Sequence, residues 1–184
     1  MTEAPGVPDE VLVAMVLDGQ PEAFGELTRR HQRRVLRIGY GFFRNAEDAA
    51  DFAQDVLIKA YTALASFRGT AKFSTWLTRI AYNTAINQAR RKPRYDPLEG
   101  DPVDVRELAP EDRHIREETV AALRKAMGDL PQKYAVCLDM YFYLDMKYGE
   151  ISEATGFPVN TIKSHVFRAK RDLRAVLGAA EVSG

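Results

Sequence analysis

The stretch of sequence that decides the fold runs from residue 150 to residue 162. It reads Glu150-Ile151-Ser152-Glu153-Ala154-Thr155-Gly156-Phe157-Pro158-Val159-Asn160-Thr161-Ile162. A short helix would end at Gly156, because glycine commonly follows the last turn of a helix. Pro158 then begins a longer helix, since proline is tolerated in a first turn. A short helix, a tight glycine-containing turn and a longer basic helix predict a helix-turn-helix module.

Two faces can be distinguished on this helix pair. Apolar residues spaced to hold the two helices together are Ile151, Ala154, Val159, Ile162 and Val166. Polar and basic residues on the outward face of the second helix are Asn160, Thr161, Lys163, Ser164, Arg168 and Lys170. Such a face can enter a major groove, where its first half meets base edges and its basic half meets phosphates. His165 completes this candidate site, although a lone histidine more often packs or lies at the surface. A solvated basic helix is the alternative interpretation.

The chain before Lys92 also has helical periodicity. Apolar residues that recur at helical spacing are Leu12, Met15, Val16, Phe24, Leu27, Val35, Ile38, Phe42, Ala53, Val56, Leu57, Ala60, Leu64, Trp76, Leu77, Ile80 and Ala81. They predict four helices, with a break at Asp18-Gly19 and a loop around residues 66–70. Asn45 is the expected N-cap of the third helix and Ser74 that of the fourth.

The middle of the chain lacks this periodicity. Four prolines, one glycine and many carboxylates lie between Pro93 and Pro110, a composition typical of a linker. Helix is expected again from about Glu111 and after Pro131. We therefore predict an all-α protein of two small helical bundles, residues 1–92 and 113–184, joined by a flexible acidic linker at residues 93–112.

Bulk composition narrows the class of protein. The 184 residues are 46% hydrophobic and 28% charged, as in ordinary soluble domains. No apolar run approaches the roughly 20 residues that span a bilayer, and the first residues lack a secretion signal, so we expect a cytoplasmic protein without membrane insertion. The single cysteine, Cys137, excludes an internal disulfide and a cysteine-rich zinc site. No metal or cofactor is expected.

Charge is balanced overall but unevenly distributed. Lysine plus arginine and aspartate plus glutamate each number 26. Basic residues cluster at residues 79–94 and 163–174, whereas residues 96–118 are acidic. Because phosphate neutralisation contributes much of the affinity for DNA, the acidic middle should keep binding of free DNA weak unless further contacts are supplied.

The fourth helix carries a second candidate nucleic-acid surface. Arg79, Asn83, Asn87 and Arg90 lie at positions i, i+4, i+8 and i+11 and share one face. Amides and arginines with an adjacent aromatic ring, here Tyr82, suit unstacked bases, which are read at their edges and by stacking. An exposed polar face without a role is the alternative.

Several segments resemble the bacterial extracytoplasmic-function sigma factors, which direct RNA polymerase to promoters. In the first bundle they are residues 48–61 (DAADFAQDVLIKAY), 67–69 (FRG) and 73–85 (FSTWLTRIAYNTA). In the second they are residues 130–131 (LP), 148–151 (YGEI), 158–165 (PVNTIKSH) and 168–170 (RAK). The resemblance covers nearly the whole chain, in order. It implies a non-catalytic promoter-specificity subunit that starts transcription of a stress or envelope regulon.

The resemblance also implies roles for individual residues. Docking on the clamp coiled coil of core RNA polymerase is expected of Asp48, Asp51, Gln54, Asp55, Leu57 and Ile58. Capture of the single-stranded minus-ten element is expected of Phe67, Arg68, Lys72, Phe73, Trp76, Arg79, Tyr82, Asn83, Asn87 and Arg90. Recognition of the minus-thirty-five duplex is expected of Asn160, Thr161, Lys163, Ser164, His165, Arg168 and Lys170.

Further partners follow from the same resemblance. The polymerase flap is expected as a further contact of the protein. The linker is expected to thread toward the RNA exit path, and an anti-sigma factor to hold the protein inactive. This chain has Asp145 and Lys147 where the family often has glycine and serine, and Asp145 could cap the following helix. Lys163 and His165 stand where arginines are common, which predicts a different upstream sequence preference because lysine lacks the planar fork of arginine.

Three other functions are compatible with parts of the sequence. A simple helix-turn-helix repressor would not need the fourth-helix face and would usually dimerise on palindromic sites. The carboxylates Glu47, Asp48, Asp51 and Asp55 could suggest divalent-metal chemistry, but no second carboxylate motif or phosphate-cradling loop accompanies them. A purely protein-binding role is the third.

Overall fold

The computed structural model describes residues 7–91 and 125–181, and its contacts divide the chain into two compact units. Within these ranges the secondary structure consists of helices and turns without a β-strand, which confirms the all-α prediction. No helix in them is long and apolar enough to cross a membrane. The linker at residues 93–112, both bundle boundaries and the helix start near Glu111 lie outside the described residues.

The first unit is built around its second helix. Its elements are α1 (Asp9–Leu17), α2 (Ala23–Phe43), α3 (Ala46–Thr62), a 3-10 turn (Leu64–Ser66) and α4 (Phe73–Arg91). Helix α2 packs against α1, α3 and α4. Several apolar residues predicted from the spacing fill the centre, among them Leu27, Val35, Val56 and Leu77, each at most 1% exposed. Phe52 and Phe73 are also buried there, although the spacing did not single them out.

One predicted helix start in the first unit is confirmed and one is wrong. The Asn45 side chain accepts a hydrogen bond from the amide of Asp48 at 3.0 Å, so Asn45 is the N-cap of α3. Helix α4 begins at Phe73 rather than after Ser74, because the Lys72 carbonyl already accepts the amides of Thr75 and Trp76. The physical reason is Phe73, whose 2% exposed ring is fixed in the hydrophobic core and brings the first turn forward.

Helices α2 and α3 approach each other most closely at Gly39. A Cβ atom on Gly39 would lie 2.6 Å from Cδ1 of Phe52 and 3.2 Å from Cα of Ala49. Real Cβ atoms do not tolerate the shorter distance, so any larger residue would push α2 and α3 apart. This crossing fixes where α3 lies on the first unit.

The second unit contains the predicted helix-turn-helix. Residues 125–129 are helical, followed by α5 (Gln132–Phe142), α6 (Tyr148–Thr155) and α7 (Val159–Glu181). Ile151, Ala154, Ile162 and Val166 are buried as predicted, whereas Val159 is 36% exposed. The turn between α6 and α7 places Gly156 at a φ of +76°, and the Ser152 hydroxyl donates to the Phe157 carbonyl at 2.7 Å.

The start of α6 differs from the prediction that Asp145 caps it. Lys147 is the capping position, because its carbonyl accepts the amide of Ile151 at 3.0 Å. The Glu150 carboxylate reaches back to accept the Lys147 amide at 2.8 Å. Asp145 instead adopts a φ of +50°, a left-handed conformation that costs less for aspartate than for most residues. It therefore shapes the turn rather than capping the helix.

Candidate nucleic-acid and polymerase interfaces

The polar face predicted on α4 is present at the surface. Arg79, Asn83, Asn87 and Arg90 are all exposed. Residues on the opposite side of the helix, such as Ala81, are buried. The helix thus offers guanidinium and amide groups along one row, with donors and acceptors suited to base edges and phosphates.

A cluster of three aromatic rings lies at the start of α4. Phe67 is 5.5 Å from Trp76 and 5.7 Å from Phe73 between ring centroids. Phe67 and Trp76 are half-buried, so each keeps part of its ring accessible. Arg68 and Lys72 are exposed on the loop between Phe67 and α4. Accessible rings beside exposed cations form a surface on which an unstacked base could lie.

Two predicted minus-ten residues are not brought to this surface. Phe73 is 2% exposed and its ring also contacts His31 at 5.3 Å. Tyr82 is 8% exposed and meets the ring of Phe42 edge-on at 6.0 Å. Both rings face α2, because α4 buries this side against it. These two rings pack beneath the exposed aromatic surface and do not present a ring face on which a base could stack.

The predicted docking face on α3 combines acidic and apolar groups. Asp51, Gln54, Asp55 and Ile58 are exposed at positions i, i+3, i+4 and i+7, and Ile58 is 58% exposed. The face therefore combines one exposed apolar side chain with two exposed carboxylates. The remaining two candidates of the set, Asp48 and Leu57, are half-buried.

A hydrogen bond ties this face to α4. The Gln88 amide donates to the Asp55 carboxylate at 3.0 Å, which links α3 to the helix that carries the exposed polar row. Among residues 7–91 and 125–181 there is no group of three or more histidine, cysteine, aspartate or glutamate side chains arranged to hold a metal ion.

On α7 most of the predicted reading residues are exposed. Asn160, Lys163, Ser164 and Arg168 are accessible, and Thr161 is half-buried. The Ser164 hydroxyl donates to the Asn160 carbonyl at 3.0 Å. The face therefore presents one amide, one ammonium and one guanidinium group along about two turns of helix.

His165 is directed into the second unit rather than toward solvent. It is 8% exposed, and its Nδ1 lies 3.7 Å from Sγ of Cys137. Its ring is 5.0 Å from that of Tyr134 and 5.6 Å from that of Phe157. Burial, with smaller contributions from Lys133 and Arg168, lowers the pKa of His165. The ring is therefore an uncharged packing group between α5 and α7.

The neighbouring thiol is equally enclosed. Cys137 is fully buried, and burial raises its pKa to about 12. A thiol with so high a pKa holds almost no thiolate at neutral pH and is a poor nucleophile. Cys137 is thus a structural residue.

The Lys170 side chain also packs against aromatic rings of its own unit. Its ammonium lies 4.6 Å from the ring centroid of Phe142 and 5.3 Å from that of Tyr141, which are cation–π distances. The aromatic residues of α5 that receive His165 and Lys170 were not identified from the sequence. The hydrophobic stripe of residues 134–142 was a usable signal, but its partner on α7 could not be known from spacing alone.

Comparison with known families identifies both units. Residues 27–95 match the model of sigma-70 region 2, and residues 121–173 match that of sigma-70 region 4. The RNA polymerase sigma-H factor of Pseudomonas aeruginosa is 34% identical, over 92% of this chain and 93% of the relative. The extracytoplasmic-function RNA polymerase sigma-E factor of Escherichia coli is 34% identical, over 88% of this chain and 90% of the relative.

Solved structures show the same fold. CnrH in complex with the cytosolic domain of CnrY superposes with a TM-score of 0.70 at 24% identity, covering 93% of this chain and 97% of CnrH. The sigma factor RpoE in complex with the anti-sigma factor NepR from Bartonella quintana gives 0.69 at 21% identity, covering 84% and 96%. With its helical region 2 and region 4 units, the chain belongs to the sigma-70 family of RNA polymerase sigma factors and is of the extracytoplasmic-function type.

Proposed function

We propose that this protein recognises promoters at two separate elements while bound to core RNA polymerase, and so starts transcription of a particular set of genes. The observation that carries the proposal is the presence of two exposed polar rows on different units, one on α4 and one on α7. Neither row is on the acidic face of α3. One chain therefore has separate surfaces for two DNA elements and for a protein partner.

The α7 row is assigned to duplex DNA at the minus-thirty-five element. Asn160, Thr161, Lys163 and Ser164 lie near the start of the helix and would face base edges, whereas Arg168 lies one to two turns later and would face phosphates. His165 and Lys170 are placed differently: the first holds α7 against α5 and the second lies on aromatic rings. We assign them supporting roles in this interface.

The α4 row is assigned to the non-template strand at the minus-ten element. Extraction of a base from the duplex costs a few kcal/mol, which stacking and hydrogen bonds in a protein pocket must return. The accessible parts of the Phe67 and Trp76 rings can supply stacking, while Arg79 and Asn83 can supply hydrogen bonds. Arg68, Lys72, Asn87 and Arg90 extend the surface with charge and donors, and Phe73 and Tyr82 support it from the hydrophobic core.

The α3 face is assigned to the clamp coiled coil of core polymerase. Exposed Ile58 would be buried by the partner, and the carboxylates around it would select a basic surface. The polymerase flap would contact the second unit, and the acidic residues 93–112 would thread toward the RNA exit path. The chain would then act in the cytoplasm, as a non-catalytic subunit.

A regulatory protein is a further expected partner. A similar fold is found in the complex of RpoE with the anti-sigma factor NepR, and we propose that an anti-sigma factor binds this protein and holds it inactive. Release by a stress or envelope signal would then permit docking on polymerase. Because docking and DNA reading use different faces, such an inhibitor needs to cover only one of them.

Run-off transcription tests the proposed function. Purified core polymerase, this protein and a pool of genomic promoter fragments are combined, and the transcripts are sequenced. The proposal predicts initiation at sites that share two spaced elements, only when the protein is added. If no transcripts appear although the protein alone binds duplex DNA, the repressor function gains support and the assignments on α3 and α4 must be withdrawn.

A further inference from the structure

The arginine on the exposed face of α7 is held by a tyrosine of α5. Nη1 of Arg168 donates a hydrogen bond to the phenolic oxygen of Tyr134 at 3.0 Å. Arg168 is exposed and Tyr134 is half-buried. A guanidinium group carries five N–H donors, so one hydrogen bond to the phenol leaves most of its donors available to another acceptor.

The tyrosine itself is fixed by the hydrophobic core. Its ring lies 5.0 Å from the ring of His165, and His165 is in turn enclosed by Cys137 and Phe157. The phenolic oxygen of Tyr134 therefore has a position determined by packing. An arginine side chain loses conformational entropy when it binds a ligand. A fixed hydrogen-bond partner already restricts the side chain in the free protein, so less entropy is lost on binding.

A second cation lies near the ring of the same tyrosine. The ammonium of Lys133 is 5.6 Å from the ring centroid of Tyr134, and Lys133 is exposed. Lys133 and Arg168 belong to different helices, and both help to lower the pKa of the buried His165, so each cation lies near that ring. The nearby carboxylate of Asp172 accepts hydrogen bonds from Arg171 at 2.8 and 3.0 Å.

We propose that Tyr134 is a positioning residue that holds Arg168 for contact with a DNA phosphate, and that Lys133 is the second cation of this phosphate-contact cluster. The cluster extends the duplex interface from α7 onto α5. It rests on the proposed function, because α7 must first lie on duplex DNA. Phosphate is the expected ligand because a guanidinium with a fixed orientation and a nearby ammonium suit a tetrahedral anion on a continuous backbone.

The experiment measures binding of the full chain to a fluorescein-labelled, mixed-sequence duplex of about 30 base pairs, over roughly 50 to 200 mM KCl. A phosphate contact is independent of sequence, so the promoter need not be known. Arg168→Ala and Lys133→Ala should each weaken binding and reduce the slope of log affinity against log salt by about 1. Tyr134→Phe, which removes only the hydroxyl, should weaken binding roughly two- to tenfold.

A double-mutant cycle separates positioning from a general structural role. Tyr134→Phe should have no further effect in an Arg168→Ala background, because the hydroxyl acts through that guanidinium. Tyr143→Phe removes a hydroxyl from an exposed tyrosine of the same unit and should leave affinity unchanged. Lys125→Ala removes an exposed lysine and is the matched control for Lys133→Ala.

Several outcomes overturn the proposal. Wild-type affinity for Tyr134→Phe, or equal losses from Tyr134→Phe with and without Arg168, would show that the hydroxyl does not position the arginine. If the variants weaken binding of core polymerase but not of duplex DNA, the phosphate-contact cluster would be a surface for a protein partner. If Lys163→Ala and Arg168→Ala are also without effect, the duplex surface on α7 itself is wrong. If Lys163→Ala weakens binding but Tyr134→Phe and Lys133→Ala do not, only the present inference fails.

Discussion

Helices α4 and α7 both carry polar residues at regular spacing, but the two rows differ in how many of their side chains are exposed. On α4 all four polar residues of the row, Arg79 to Arg90, are exposed. On α7, His165 is buried against Cys137 and Lys170 lies on the ring of Phe142. Helical periodicity tells which side chains share a face, but the aromatic side chains of a neighbouring helix decide which of them remain available.

The largest expected effect concerns the fold of the first unit. Gly39→Ala places a Cβ atom 2.6 Å from the Phe52 ring and 3.2 Å from the backbone of Ala49. Overpacking of this kind should lower the free energy of unfolding by roughly 1–3 kcal/mol. Trp76 is the single tryptophan of the chain, so its fluorescence during urea unfolding follows this unit.

The matched control lies on the same helix. A Cβ atom on Gly25 would meet nothing within 4 Å, so Gly25→Ala should leave the stability unchanged or slightly higher. Equal stability of the Gly39→Ala and Gly25→Ala variants would mean that α2 and α3 are not packed as closely as described.

The next prediction uses the two lysines of α7 to test the difference between them. Lys163→Ala should weaken binding of upstream promoter duplex roughly three- to tenfold, because an exposed ammonium that faces base edges in the major groove is lost. Lys170→Ala should have a smaller effect, because its ammonium lies 4.6 Å from the Phe142 ring. Fluorescence anisotropy at several salt concentrations measures both. A larger loss from Lys170→Ala would reverse the assignment of these two side chains.

Acid should unfold the two units in a defined order. The pKa of His165 is lowered from its ordinary value of 6.5 by burial. Below pH 6.5 the unfolded state therefore binds a proton that the folded state resists, and the second unit loses stability as the pH falls. His165→Gln should flatten this dependence in thermal unfolding followed by circular dichroism. An unchanged pH profile in the variant would place His165 outside the packed interface.

The first unit should respond at a lower pH. Hydrogen bonds from Arg29 and Arg30 lower the pKa of Glu26 from 4.5 to about 2. Glu26 therefore contributes stability above about pH 4.5, which is lost as the pH falls toward 2. Trp76 fluorescence should thus remain native through the range in which the second unit weakens. A Trp76 transition between pH 6.5 and 5 would contradict this order.

The smallest effect is expected at Gly149 in α6. A Cβ atom there would meet nothing within 4 Å, and glycine inside a helix costs up to about 1 kcal/mol relative to alanine. Gly149→Ala should therefore raise the thermal stability of the second unit slightly, in contrast to Gly39→Ala in the first. Calorimetry of the full chain measures the shift. A decrease would show that this position contacts another part of the protein.

Much of the fold could be predicted from the sequence, because apolar spacing and local capping act over a few residues. The α6–α7 pair and the Asn45 cap follow from such signals. The start of α4 could not be predicted from Ser74, because the deciding interaction is the burial of Phe73 among distant rings. Asp145 was misjudged for a similar reason: its left-handed backbone belongs to the turn geometry between α5 and α6.

The residues of the candidate sites were predictable or unpredictable for the same physical reasons. Exposed polar residues such as Asn83 and Lys163 lie where their spacing predicts, since surface position follows from helical phase. His165, Tyr82 and Phe73 are buried because α2 and α5 present aromatic or apolar partners at those points. Tyr134 was not identified, because its relation to Arg168 joins residues far apart in sequence.

The most direct test of the division of labour uses Asn83→Ala in reconstituted holoenzyme. Association with core polymerase is measured by fluorescence, and promoter opening by permanganate reactivity of unpaired thymines in a promoter recovered from the run-off experiment. The account predicts normal association with reduced opening, because Asn83 lies on the exposed row of α4 and the proposed docking face is on α3. Equal loss of association and opening would contradict the separation of these two surfaces.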